Sequence, residues 1–250
     1  MQNISKFIER WAASGGSERG NYALFLSELT EVLGLEKPLP ATASSENDSY
    51  RFERPVKFSN VGQSSTTFID LYRKGCFILE AKQGVKKPGR DDPNQLSLLP
   101  DGDAPVKRHG HGVRGSSQWD KSIFSARHQA DRYARAVARE DGWPPFLIIC
   151  DVGFMFEFHA DFSGQGQGYT QFPDKNRYRI TLEQLADPDV QELFRTIWND
   201  PYALDPSKRA ARVTREIADQ LALLGRSFEM QGHEPEKVAG FLMRCLFSMF

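Results

Sequence analysis

Cysteine is scarce, with Cys76, Cys150 and Cys245 the only three among 250 residues. They form no C-x-x-C pair and no even set, which excludes a disulfide framework; they read as reduced, mostly buried thiols of a cytoplasmic protein. Long apolar runs are missing too. No stretch reaches the roughly 18 residues needed to span a bilayer. The N-terminal MQNISKFIERWAASGG spaces Ile4, Phe7, Ile8 and Trp11 as a helix does, with charge between them, unlike a signal peptide. The third absence is a charge excess: 32 Lys and Arg against 33 Asp and Glu leave a formal net charge of −1. Any polyanion site must therefore come from a local cluster. There is no internal repeat.

The length gives room for one sizeable domain, or one domain plus an appendage. The final FLMRCLFSMF is strongly apolar and stops without a cap, so the natural chain is expected to continue beyond Phe250. A helix is expected from Ser17 to Gly34, then a loop rich in Pro, Ser and Asn. YRFERPVKF reads as a strand, at an edge because of Pro55. Residues 84–116 are rich in Gly, Pro, Asp, Lys and Arg and lack apolar periodicity, the mark of a functional or flexible insert. Ser117 is expected to cap a long helix running to Gly142, with Asp120 in the capping-box position. PPFLIICDVGFMFEFHAD reads as two strands around Asp151-Val152-Gly153. From Thr181 onward the pattern is helical, with Asp187-Pro188 and Asp205-Pro206 each setting an N-cap before a first-turn proline. The order predicts an α/β core followed by an all-helical segment.

The chemistry is expected in FIDLYRKGCFILEAKQG, residues 68–84. Two strand-like runs there carry Asp70, Glu80 and Lys82, though burying an uncompensated charge costs several kcal/mol. A three-residue loop Arg73-Lys74-Gly75 would set Tyr72 opposite Cys76 and Asp70 opposite Ile78. Asp70, Glu80 and Lys82 would then project from one side, with Asp70 and Glu80 diagonal neighbours. A two-residue loop would separate the two carboxylates. If they meet, their oxygens and the carbonyl of Ala81 make an open site for Mg²⁺, and Lys82 can orient water or stabilise developing negative charge. A salt bridge at a strand end explains the bare pattern equally well; the consecutive β-runs and flanking helices favour the metal site. Lys107, Arg108 and Arg114 could add phosphate contacts, which carry no sequence information. His109 and His111 read as solvated or near phosphate rather than as metal ligands. Lys208, Arg209, Arg212 and Arg215 form a basic stripe, read as a solvated face or, at Arg212, as a DNA contact.

D-x9-E-A-K on a hairpin resembles the PD-(D/E)xK nuclease superfamily, and Gln129 and Tyr133 resemble its Q-x-x-x-Y helix. SERGNYALFLSEL, FERPV, IDLYRKGCFILEAKQG, PPFLIICDVG, ADFSGQGQGYTQFPD and ARVTREIADQLALL are similar to the N-terminal portion of MmeI-like type IIL restriction–modification enzymes. The resemblance implies a restriction-endonuclease-like core, a central mixed sheet flanked by helices, over residues 1–180. Residues 181–250 would be a helical connector. It implies Asp70 and Glu80 as metal-binding carboxylates, Lys82 as the catalytic lysine, Gln129 and Tyr133 pointing toward the metal centre, and Glu28 as a further acidic residue. The implied activity is Mg²⁺-dependent cleavage of foreign double-stranded DNA, with Mn²⁺ able to substitute. The chain has no N-P-P-Y and no glycine-rich cofactor motif. Methylation with S-adenosylmethionine and target recognition would therefore lie in further C-terminal domains. Two copies are expected to pair transiently on DNA, and no membrane is involved. A repair or recombination nuclease of the same superfamily and a non-catalytic DNA-binding or docking module are the competing readings.

Overall fold

The computed structural model describes residues 4–14, 18–41, 49–60, 63–85, 112–166 and 168–248. The chain divides into two compact units, Met1–Tyr202 and Ala203–Phe250. The first opens with helices α1 (Ile4–Ala13) and α2 (Glu18–Val32). Strands β1 (Tyr50–Asn60), β2 (Gln63–Arg73) and β3 (Phe77–Lys82) follow, then the long helix α3 (Ser117–Asp141). Strands β4 (Phe146–Asp151), β5 (Met155–Ala160), β6 (Thr170–Gln171) and β7 (Arg179–Thr181) complete the sheet, and α4 (Pro188–Asn199) closes the unit. The sheet order is β1-β2-β3-β4-β5-β6, with β7 beside β5. Only β3 and β4 pair in parallel; the other named pairs are antiparallel. A parallel pair needs a crossover, and α3 supplies it. As Pro55 suggests, β1 is an edge strand.

Helices cover both faces of the sheet. On one, α2 stacks Phe25 on Phe156 of β5 and on Phe7 of α1, and Trp198 of α4 lies 4.3 Å from Phe77 of β3. On the other, Ala126, Ala130 and Ala134 recur every four residues along α3. Small side chains at this spacing let the helix lie close to the sheet, beside Ile78, Leu147 and Ile149. Ser116, one residue before the expected Ser117, caps α3 by accepting from the Trp119 amide at 3.3 Å. Asp187 and Asp205 cap α4 and the next helix as their Asp-Pro pairs suggest.

The first unit runs past residue 180, where the sequence suggested a boundary. Phe194, Ile197 and Trp198 are fully buried, and the Trp198 indole donates to the Tyr50 hydroxyl at 3.0 Å. Burying side chains of this size stabilises by about 1.5–3 kcal/mol each, which ties α4 to the sheet. The second unit holds the antiparallel helices α5 (Pro206–Met230) and α6 (Pro235–Ser248), joined through Gly232 at φ +85° and packed through Phe228 and Phe241. Among the described residues, no helix is long and apolar enough to cross a membrane.

Candidate active site

The hairpin between β2 and β3 does turn in three residues, but these are Lys74-Gly75-Cys76 rather than Arg73-Lys74-Gly75. Arg73 pairs with Phe77, Tyr72 with Ile78 and Leu71 with Leu79. Gly75 takes the left-handed backbone (φ +71°) that such a loop favours, and the Cys76 amide closes it on the Arg73 carbonyl. The register is therefore two residues away from the expected one, a shift that preserves which residues share a side. Carried one step further, it sets Asp70 level with Glu80 instead of diagonal to it.

At that level the two strands part. The regular pairing ends at Leu71 and Leu79, and the Asp70 carboxylate enters the gap to accept the Ala81 amide at 2.7 Å. Asp70 thus reaches toward β3, to the peptide between Glu80 and Lys82. Glu80 is buried, and the Lys82 ammonium lies 3.7 Å from its carboxylate. The same ammonium donates to the Ala81 carbonyl at 2.9 Å. Two acids, an amine and a polarised carbonyl therefore converge within three consecutive residues of β3 and one of β2. Among the described residues no group of three or more His, Cys, Asp and Glu gathers that could hold a metal. A divalent ion here would rely on two carboxylates, a carbonyl and water, a set Mg²⁺ accepts because it keeps several waters.

Gln129 and Tyr133 lie on α3, which packs on the sheet face shared by Tyr72 and Ile78. The Gln129 amide donates to the Tyr133 hydroxyl at 2.9 Å, and Tyr133 is buried in the cluster containing Ile78, two residues before Glu80. Glu28 does not join the carboxylates. It accepts from the Trp11 indole at 2.8 Å and pairs with Arg10 at 2.8 Å, fastening α1 to α2. Arg114 is also reassigned. Its side chain is only 9% exposed and is spent on Asp151, which is fully buried, and on the Val152 carbonyl at 2.8 Å. The Asp151 carboxylate also accepts from the Trp119 indole at 2.6 Å and the Gly84 amide at 3.1 Å. A Cβ on Gly84 would lie 2.8 Å from both Asp151 Oδ2 and Trp119 Cδ1, so glycine is required there. Arg212 is exposed on α5 and sits 3.7 Å from Glu216. Lys107, Arg108, His109 and His111 fall outside the described residues.

Asp151 was legible only as a turn residue, although it stands level with Lys82 in the register of β3 and β4. Glu53 was overlooked altogether. It holds a left-handed backbone (φ +50°), unusual for a residue with a side chain, at the level of Asp70 on β1, and it accepts the Tyr22 hydroxyl of α2. No spacing rule marks it, because the kink exists only once the strands are paired.

The fold and site together define a mixed α/β protein, its central mixed sheet flanked by helices and carrying an acid–acid–amine group where two strands diverge. Residues 2–231 match the model of the family described as MmeI, N-terminal domain, and the chain belongs to that family. No curated protein and no solved structure matched.

Proposed function

We propose that this chain is the Mg²⁺-dependent DNA endonuclease part of a combined restriction–modification protein, with a PD-(D/E)xK core. The carrying observation is the convergence of Asp70, Glu80 and Lys82 around the Ala81 peptide, within the order α2-β1-β2-β3-α3-β4. Membership in the MmeI N-terminal family supports the restriction–modification role. Asp70, Glu80 and the Ala81 carbonyl would hold the ion; Mg²⁺ or Mn²⁺ there would neutralise a phosphodiester oxygen and lower the pKa of a bound water. The Ala81 amide fixes one Asp70 oxygen, which orients the carboxylate before any ligand arrives. Lys82 supplies a positive charge beside Glu80, where it can steady the attacking water or the negative charge that builds up on phosphate. The Gln129–Tyr133 pair on α3 would serve that ion's surroundings from the helix side. Target recognition and methylation with S-adenosylmethionine are assigned to further domains, and strand-by-strand cutting to two copies meeting on DNA in the cytoplasm.

Supercoiled plasmid incubated with the chain and Mg²⁺ or Mn²⁺ tests this. Nicking or linearisation that falls by about 100-fold or more in Lys82→Ala is expected. Equal cutting by variant and parent would refute the role of these residues. Asp70→Asn keeps an oxygen for the Ala81 amide but loses the charge, so it should silence cutting without lowering the melting temperature.

A further inference from the structure

Charge that the chemistry above leaves unused lines the C-terminal half of α3. Between β1 and the C-terminal half of α3 runs a groove of about 340 Å³ lined by Lys57, Phe58, Arg132, Arg135, Arg139 and Glu140. Four cations face one carboxylate, in a chain whose formal net charge is −1. Among the described residues Lys57, Arg132 and Arg139 have no carboxylate partner, and all three are exposed. Arg135 pairs with Asp131 at 3.0 Å, an exposed pair of the kind worth little and readily exchanged. Positions 132, 135 and 139 form one stripe of the helix.

One wall of the groove reaches Tyr133 of α3. The Arg132 guanidinium lies over the Phe58 ring, 5.1 Å from its centre. Phe58 is 6.0 Å from Tyr133, whose hydroxyl receives the Gln129 amide. An anionic polymer held by the arginines would thus pass beside Tyr133, on the sheet face that α3 covers. Guanidinium forks match phosphate oxygens, and one aromatic ring holds the first of them in place.

We infer that this groove is a track for the sugar–phosphate backbone of duplex DNA, feeding it to the Asp70–Glu80–Lys82 site. The inference rests on the nuclease reading and adds to it the surface that holds the substrate. Contacts of this kind are electrostatic and indifferent to base sequence, so they complement a recognition domain elsewhere.

The test is fluorescence anisotropy with a random-sequence duplex of about 30 base pairs in metal-free buffer, where cleavage cannot interfere, across a salt series. The chain is compared with the triple variants Arg132→Gln/Arg135→Gln/Arg139→Gln and Arg132→Lys/Arg135→Lys/Arg139→Lys. The glutamine variant is expected to bind about tenfold or more weakly and to lose about two to three from the slope of log affinity against log salt, at roughly 0.9 per phosphate contact. The lysine variant should recover most of that slope, which separates charge from fold. Unchanged affinity and slope in the glutamine variant would overturn the track while leaving Mg²⁺-dependent cutting, and its loss in Lys82→Ala, intact. Displacement of the duplex by polyglutamate at equal charge would overturn it in favour of an acidic protein partner. A parent that neither binds nor cuts DNA would overturn both readings together.

Discussion

Arg114 carries a basic label in the sequence and a structural task in the fold. Its guanidinium neutralises Asp151 at 2.8 Å, in a setting where both side chains are almost wholly removed from water. Truncating it would leave a buried carboxylate with only the Trp119 indole and the Gly84 amide to satisfy it. Arg114→Ala should therefore destabilise the first unit by about 3 kcal/mol, measured by urea denaturation, rather than simply weaken DNA binding. A loss under about 0.5 kcal/mol, typical of a surface arginine, would restore the phosphate-contact reading. Glu28→Gln should likewise lower stability by about 1 kcal/mol through its lost pair with Arg10, and spare Mg²⁺-dependent cutting. Neither partnership was legible from spacing. Arg114 and Asp151 are 37 residues apart, and Glu28 meets Trp11 only because α1 folds back on α2. Asp70, Glu80 and Lys82 were legible because a hairpin's period of two converts short spacing into shared position.

Among the elements, the C-terminus of α3 holds an acid at the end where the helix dipole disfavours one. Asp141 compensates by gathering Arg54 at 2.7 Å, Lys74 at 2.8 Å and the Tyr72 hydroxyl at 2.9 Å, so that the helix is clamped to β1 and to the β2–β3 turn. Burial pushes the Asp141 carboxyl up, but the hydrogen bonds from Lys74 and Tyr72 and the charge of Arg54 outweigh it. Its pKa falls below the ordinary 3.8. Because the folded value is the lower one, the clamp's contribution is fully present above the unfolded value and fades as pH falls through the folded one. Asp141→Asn should cost about 2 kcal/mol at pH 7, with the deficit closing as pH drops below about 3.8, followed by urea midpoints against pH. The boundaries of these elements were readable where the cap is local, as at Asp187-Pro188 and Asp205-Pro206. The hairpin turn was displaced by one residue because Gly75 can serve the middle of the loop as well as its end.

For the whole molecule, the first compact unit ends at Tyr202, not near residue 180. A chain ended after Tyr202 should unfold cooperatively near the midpoint of the longer one. A chain ended at residue 180 would strip α4 from Phe77 and Tyr50 and should lose its cooperative transition; circular dichroism melts distinguish the two. The sequence exposed α4 as a helix but could not say which neighbour its buried face Phe194-Ile197-Trp198 would choose, since amphipathicity specifies a face and not a partner. Beyond β3 the chain bridges Val85 to Val113, where the Val85 amide donates to the Gly112 carbonyl and the Arg114 amide to that of Val85, both at 2.9 Å. Val85 and Val113 are thereby stitched together three residues past Lys82, and the Arg114–Asp151 ion pair locks the stitch. The strand end that carries Lys82 is therefore anchored beyond its own sheet pairing, on the stretch of chain that leads into α3.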